Sequence, residues 1–392
     1  MDASTRVVIT GLGTISSNGH DLDDFWTWVS SAPPQPVVSE IHGFDPSPWL
    51  SSKEIKRFDY FTHLGVSAAH LALDDAGLDP STIAPRRGGV VMGTLFGATR
   101  SMEEQVLAFD PADADQVPPF FGMAACENLV AAMTSQHAGW RGPSKVVVTA
   151  CASGTHAVAE GADLIRSGRC DAVLAGGAQG RALRPIVASF DNIRLLSASS
   201  YVRPFDKRRD GFVYTEGAAV LVLERLDRAL ERGARIYGEV WGSAHTNDAD
   251  SLISPSGSGA AECIEDALID AGCEPGDIVH VNAHGTGTGL NDLKEAEALH
   301  AIFGATPPPV TSVKRVLGHA TGAAGAFEAA AVALTVHHGL MPSLGTDVEP
   351  DESLDLDLVT GPPRPMDPGP VLSNSFGIGG HNGCLVIGPI RS

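Results

Sequence analysis

The chain has 392 residues, 43% of them hydrophobic and 19% charged, with a formal net charge of −20. This is the composition of a globular protein, with length for one large domain or two ordinary ones, and it excludes a disordered chain. The acidity argues against nucleic acid as a partner while leaving room for a local basic patch, and no apolar run reaches the ~20 residues of a spanning helix, so no membrane segment is expected.

Residues 1–5 are polar and run straight into the strand-like Arg6-Val-Val-Ile-Thr10, so no signal peptide is visible. Short valine- or leucine-rich runs predict strands at 7–10, 89–93, 146–149, 172–175 and 218–223, then at 236–241, 278–282, 310–313, 371–374 and 384–387. Helices are predicted at 61–76 before Gly77, at 153–167 before Gly168 and at 322–338 before Gly339. The last two are small and apolar nearly all round, as fits helices buried between layers. The strand-turn-helix at 146–167 is echoed at 310–338, which predicts a duplicated α/β unit with its join near 232–235, giving halves 1–234 and 235–392. The proline-rich stretches 32–36 and 361–370 read as surface connections. Gly11-Leu-Gly13 follows the first predicted strand but lacks the third glycine of a dinucleotide fingerprint.

Six cysteines, Cys126, Cys151, Cys170, Cys263, Cys273 and Cys384, are scattered without a Cys-x-x-Cys pair. Neither a metal site nor a disulfide framework is expected, and a reducing cytoplasm is the natural setting. Cys151 alone lies between a strand and a helix start, where the helix dipole and free backbone N–H groups favour thiolate and can hold an oxyanion. Its position admits a nucleophile or a small buried hydrophobe; Cys126 and Cys170 lack this setting and are assigned to packing. His284, in Val281-Asn-Ala-His-Gly-Thr-Gly-Thr288, and His319, in Lys314-Arg-Val-Leu-Gly-His319, also lie just past strands. One cysteine and two histidines so placed suit a shared cleft at the strands' carboxyl ends. Ser373-Asn-Ser-Phe-Gly-Ile-Gly-Gly380 is a fourth turn of this kind, either a close backbone approach to a ligand or a crowded loop.

Taken together, Thr149-Ala-Cys-Ala-Ser153, Asn282-Ala-His-Gly-Thr286, Lys314 through Gly325 and Asn374-Ser-Phe-Gly377 resemble the ketoacyl-carrier-protein synthases of the thiolase superfamily. The match is to the decarboxylating, elongating type of type II fatty-acid and polyketide systems, over essentially the whole chain. The resemblance implies a duplicated five-layer α-β-α-β-α fold and a dimer, with Phe121 in Pro119-Phe-Phe-Gly-Met123 reaching the partner's acyl pocket. It implies that Cys151 takes an acyl group as a thioester, with its own N–H and that of Phe376 as the oxyanion hole. His284 and His319 then promote decarboxylation of a malonyl thioester and hydrogen-bond the enolate. Lys314 and Glu328 match the family's supporting lysine and acid, Thr286 and Thr288 the threonines that hold the pantetheine amide, and Phe376 with Gly377 a gate before the acyl pocket. No resident cofactor is implied, since substrates ride on the phosphopantetheine arm of acyl carrier protein. Lys53, Lys56, Arg57 and Arg203 match a carrier-docking patch, and a basic patch is the more necessary because two acidic surfaces repel.

Three features depart from the primary-metabolism pattern: Gly285-Thr-Gly-Thr-Gly289 in place of Gly-Thr-Ser-Thr-Pro, Ile378 in place of a second gating phenylalanine, and a shortened connection over 32–49. They lean toward a specialised polyketide or polyene pathway, with fatty-acid elongation as the alternative. Retention of Cys151, His284 and His319 argues against a non-catalytic chain-length-factor subunit, although a subunit active only beside such a partner fits. The second histidine argues against a starter-unit synthase or thiolase.

Overall fold

The computed structural model describes residues 3–252 and 255–391; residues 1 and 2, the start of the polar stretch before the first strand, lie outside the described residues. Strands β1 (Val7–Ile15), β2 (Gly88–Gly93), β3 (Ser144–Val147), β4 (Ala172–Gln179) and β5 (Gly217–Arg225) form the first half of the sheet. In the second half come β6 (Gly238–Asn247), β7 (His280–Asn282) and β8 (Val310–Thr311), then, after the separate pair β9 (Leu340–Met341) and β10 (Arg364–Pro365), β11 (Val371–Gly377) and β12 (His381–Gly388). The ten-stranded sheet runs β3-β2-β4-β5-β1-β6-β12-β11-β7-β8. Read outward from the β1–β6 seam, each half repeats one order of its own strands: first, fifth, fourth, second, third. That repeat is the duplication in topological form.

The seam is slight: β1 and β6 pair antiparallel only through Val7–Val240, Val8–Glu239 and Ile9–Gly238. Two helices, Ser153–Arg166 and Ala324–His338, lie between the halves. The first packs on β2 and β4 but also on β6 and β12, and the second on β4 and β5 but also on β11 and β12. The sheet therefore folds around this helix pair. Helices Tyr60–Ala76 and Leu129–Ala138 cover the outer face of the first half, and Gly257–Ala271 that of the second. Five layers result. The central pair approaches backbone to backbone because Gly154 and Gly325 face it: a Cβ on Gly154 would stand 2.6 Å from the Ala326 nitrogen, and one on Gly325 would stand 2.1 Å from Thr155 Oγ1.

Each predicted strand has a counterpart, with instructive differences at the ends. Gly11 and Gly13 lie inside β1, not after it, because the Tyr60–Ala76 helix presses on that strand: a Cβ on Gly11 would stand 2.2 Å from Ala72 O. β3 stops at Val147, and the chain turns at Thr149 (φ −132, ψ 45) toward Cys151. The 361–370 connection carries β10, which pairs with β9. Cys170 is fully buried, as expected of a packing residue, whereas Cys126 is exposed just past the short helix Phe121–Ala124, its thiol donating to Gly122 O at 3.3 Å. Among the described residues no helix is long and apolar enough to cross a membrane.

Candidate active site

Four turns at the ends of β3, β7, β8 and β11 converge on one mostly apolar cavity of about 500 Å³. Cys151, His284, Thr286, Thr288, His319, Phe376 and Gly377, all singled out in the sequence, line it. Cys151 sits in a tight turn, Ala150–Ala152, that leads into the central helix, and Ala150 before it adopts φ +52. A left-handed alanine is strained, and here it turns the next side chain into the cavity.

The Cys151 sulfur lies 3.1 Å from His319 Nε2. Helix position leads one to expect a stabilised thiolate, yet the group is buried, and burial pushes its pKa up to about 11 against the opposing charge of Lys314 and the N–H groups of Ile378 and of Cys151 itself. Desolvation outweighs these favourable contacts. The resting group is a thiol in contact with the His319 ring.

His319 is fixed at its backbone, its N–H donating to Val213 O at 2.8 Å and its carbonyl accepting from Thr215 at 3.2 Å. The Phe212 ring stands edge-on to the imidazole at 5.0 Å. His284 lies with its ring 5.4 Å from that of His319 and 5.7 Å from Phe376. Burial holds both histidines well below the usual imidazole range, with the charge of Lys314 acting in the same direction. Both rings are therefore neutral near pH 7.

Lys314 is not an exposed loop charge: it is 1% exposed and forms a buried ion pair with Glu328. Burial pushes the Glu328 carboxyl up, opposed by Lys314 and by the Ser375 hydroxyl, which donates at 3.1 Å. Gly377 brings the β11 backbone against the nucleophile turn; a Cβ there would stand 2.9 Å from Thr149 O and 3.2 Å from the Cys151 nitrogen. Thr286 and Thr288 share a hydroxyl contact of 3.0 Å at the cavity wall.

The basic residues lie elsewhere. Lys53 and Lys56 project from the short helix Ser52–Arg57, which begins with a capping box of Ser51 and Glu54. Arg57 is drawn over the Phe120 ring at 4.1 Å, and Arg203 over Tyr201 at 4.6 Å. None of the four lines the cavity, but Arg203 backs the 286–288 loop, its nitrogen 3.0 Å from where a Cβ on Gly287 would stand.

Two acids escaped the sequence reading. Glu295 accepts the backbone N–H groups of His284 and Gly285, each at 2.8 Å, and Asp292 accepts those of Phe205 at 2.8 Å and Gly287 at 3.2 Å. Both are buried on helix Gly289–Phe303, and burial pushes them up to about 7 and about 6 respectively. Their i, i+3 spacing directly after a glycine-rich histidine loop was the available signal. Arg194 is a further unforeseen neighbour, an exposed cation on the cavity lining.

The model of the Beta-ketoacyl synthase N-terminal domain matches residues 30–229, and that of the C-terminal domain matches residues 237–345. The chain is 36% identical to 3-oxoacyl-[acyl-carrier-protein] synthase 2 of Synechocystis sp., covering 96% of each chain. With the Staphylococcus aureus enzyme of the same name it shares 34% identity, over 98% of this chain and 99% of that one. Among solved structures it superposes on the ishigamide ketosynthase/chain length factor with a TM-score of 0.92 at 33% identity, covering 98% and 99% of the two chains. A type II PKS acyl-carrier protein in complex with its ketosynthase bound to the hexaketide gives a TM-score of 0.88 at 27% identity, with the same coverage. The chain belongs to the beta-ketoacyl synthase family, condensing enzymes of thiolase-like fold.

Proposed function

We propose that the protein catalyses decarboxylative condensation of an acyl group held on Cys151 with malonyl-acyl carrier protein, giving a 3-oxoacyl thioester two carbons longer. The observation that carries this reading is the 3.1 Å approach of His319 Nε2 to the Cys151 sulfur, with a second neutral histidine beside it in one apolar cavity. In the first half-reaction the Cys151 thiol loses its proton, its sulfur bonds the acyl carbon, and the carrier leaves as a free thiol. The N–H groups that face the sulfur, those of Cys151 and Ile378, serve as the oxyanion hole, with Ile378 in the place expected of Phe376. In the second, His284 and His319 donate Nε2–H bonds to the malonyl thioester oxygen. The carboxylate leaves as carbon dioxide, the electron pair of that bond forms the enolate, and the enolate carbon displaces the Cys151 sulfur.

Lys314 and Glu328 act as positioning residues for His284. Thr286 and Thr288 hold the pantetheine amide, and Phe376 with Gly377 gates the acyl pocket. Lys53, Lys56, Arg57 and Arg203 receive the acidic carrier, and exposure of Lys53 and Lys56 supports this. The catalytic residues divide between halves 1–234 and 235–392. All six cysteines, each among the described residues, are free thiols, which supports a cytoplasmic setting.

A specialised polyketide or polyene role is favoured by Ile378, which is 45% exposed beside the cavity where a second bulky gate residue is absent. A second subunit, a copy or a chain-length factor, is supported by the exposed apolar side chains Val106, Leu107, Phe109 and Met123. The test is carbon dioxide release and 3-oxoacyl product formation from malonyl-carrier protein and an acyl-carrier protein. Wild type is expected to give both, and Cys151→Ala to give no condensed product. If wild type releases no carbon dioxide with any partner subunit present, the proposal fails.

A further inference from the structure

The short helix Ser52–Arg57 has no buried residue, and six residues are too few to hold a helix alone. Ile55 and Phe58 pack it onto Leu50, Val66 and Met133, leaving Lys53 and Lys56 exposed. Between the two lysines lies Glu54, a carboxylate whose two oxygens have different partners. Oε2 accepts the backbone N–H of Ser51 at 2.8 Å and the Ser51 hydroxyl at 2.6 Å, closing the capping box. Oε1 lies 3.0 Å from Nε2 of His137, on helix Leu129–Ala138.

The contacts continue inward. His137 Nδ1 shares a hydrogen bond of 3.0 Å with Nε2 of His70, on helix Tyr60–Ala76, the two rings meeting edge-on. Both ring nitrogens of His137 are thus engaged, and the imidazole cannot turn from the carboxylate without losing both bonds. The bonds from Ser51, with that from His137, hold the Glu54 carboxyl below its usual range, so it stays ionised near pH 7. Arg57 stands three residues on, the spacing at which a helical glutamate pairs with a following cation. Yet among the described residues Glu54 makes no ion pair with Lys53, Lys56 or Arg57. The Arg57 guanidinium lies over the Phe120 ring instead, a contact that leaves its charge unneutralised.

We propose that His137, braced by His70, is a positioning residue for carrier docking. It holds the Glu54 carboxylate inward, so that the cations of the same helix stay unpaired for an acidic carrier protein. This rests on Lys53, Lys56 and Arg57 being the carrier patch. His137 does not line the cavity and takes no part in the bond changes.

The test is steady-state condensation with malonyl-carrier protein and, separately, with malonyl-pantetheine. His137→Phe frees Glu54 to pair with Arg57. The KM for the carrier-borne substrate is expected to rise about twofold to fivefold, the worth of one exposed ion pair. The kcat and the KM for malonyl-pantetheine are expected to stay as in wild type. Adding Glu54→Gln, which keeps the capping box and removes the charge, is expected to return the carrier KM to the wild-type value. His137→Leu gives the same comparison should the phenylalanine variant not fold. An unchanged carrier KM in His137→Phe, no rescue by Glu54→Gln, or an equal rise for both substrates overturns the proposal. Charge reversal at Lys53 and Lys56 separates the two readings. If it raises the carrier KM while His137→Phe does not, only the role of His137 falls; if it changes nothing, the docking patch falls and the role of His137 with it.

Discussion

Lys314 grips His284 at two points, donating to its carbonyl oxygen at 2.7 Å and to Nδ1 at 3.2 Å. Its third N–H goes to Glu328, so every donor of the ammonium is committed. Because Nδ1 accepts, the proton of the neutral ring sits on Nε2, the tautomer that an enolate oxygen needs. Lys314→Met is expected to cost ~3–5 kcal/mol in denaturant unfolding by leaving Glu328 buried and unpaired. Adding Glu328→Gln restores most of that stability, while carbon dioxide release stays ~10²-fold or more below wild type because the tautomer is no longer fixed. Recovery of decarboxylation in the double variant would refute the positioning role.

Gly377→Ala is the sharpest test of the gate. The added methyl would meet Thr149 O at 2.9 Å and the Cys151 nitrogen at 3.2 Å, so the β11 backbone must retreat from the nucleophile. Displacement of this kind costs ~10²-fold in rate. The expected result is a fall of that order in Cys151 acylation with near-normal unfolding, measured by mass spectrometry and denaturant titration.

Stability against pH isolates one buried histidine. His280 is fully enclosed, its Nε2 2.8 Å from Thr311 Oγ1, and burial lowers it to about 3. Between pH 3 and the unfolded value of about 6.5 the unfolded chain binds a proton that the folded chain does not, so stability falls as pH falls through that window. Asp292 and Glu295, raised to about 6 and about 7, act oppositely, losing stability as pH rises through the interval. Comparing wild type with His280→Gln from pH 7.5 to 5 removes these shared contributions. Below pH 6.5 the difference in unfolding free energy should change by ~1.4 kcal/mol per pH unit, with wild type losing more.

Charge reversal at Lys53 and Lys56 should raise the KM for carrier-borne malonyl groups severalfold and weaken its salt dependence, with no change for malonyl-pantetheine. Steady-state kinetics at two ionic strengths decides it. An equal effect on both substrates would place these lysines in folding instead of docking.

Cys151 and both histidines were legible because each comes shortly after a strand and beside a glycine-rich turn, and such positions point side chains into the crevice at strand ends. Ten strands were legible for the same reason, as short apolar runs between turn residues. What stayed hidden depends on burial, which residue type does not reveal. Beyond their spacing, Asp292 and Glu295 carry no sequence signal that sets them apart from the other charges of 292–297, yet both are enclosed and tie down the loop that carries His284. Cys126, which lacks the strand-to-helix setting of Cys151, read as packing and stands in solvent. Gly11 and Gly13 read as lying past the first strand because their reason, the backbone of Ala72 and Ala68 against β1, lies about sixty residues away.

The seam between the sheet halves has only three paired positions, while Cys151 and His319, its neighbours across the helix pair, are 168 residues apart. Neither half owns a working centre. The approach of Cys151 to His319 therefore requires both halves to be folded and packed together. On the proposed function, acyl capture and condensation thus depend on the integrity of the whole chain, and a fragment holding only one half is expected to do neither.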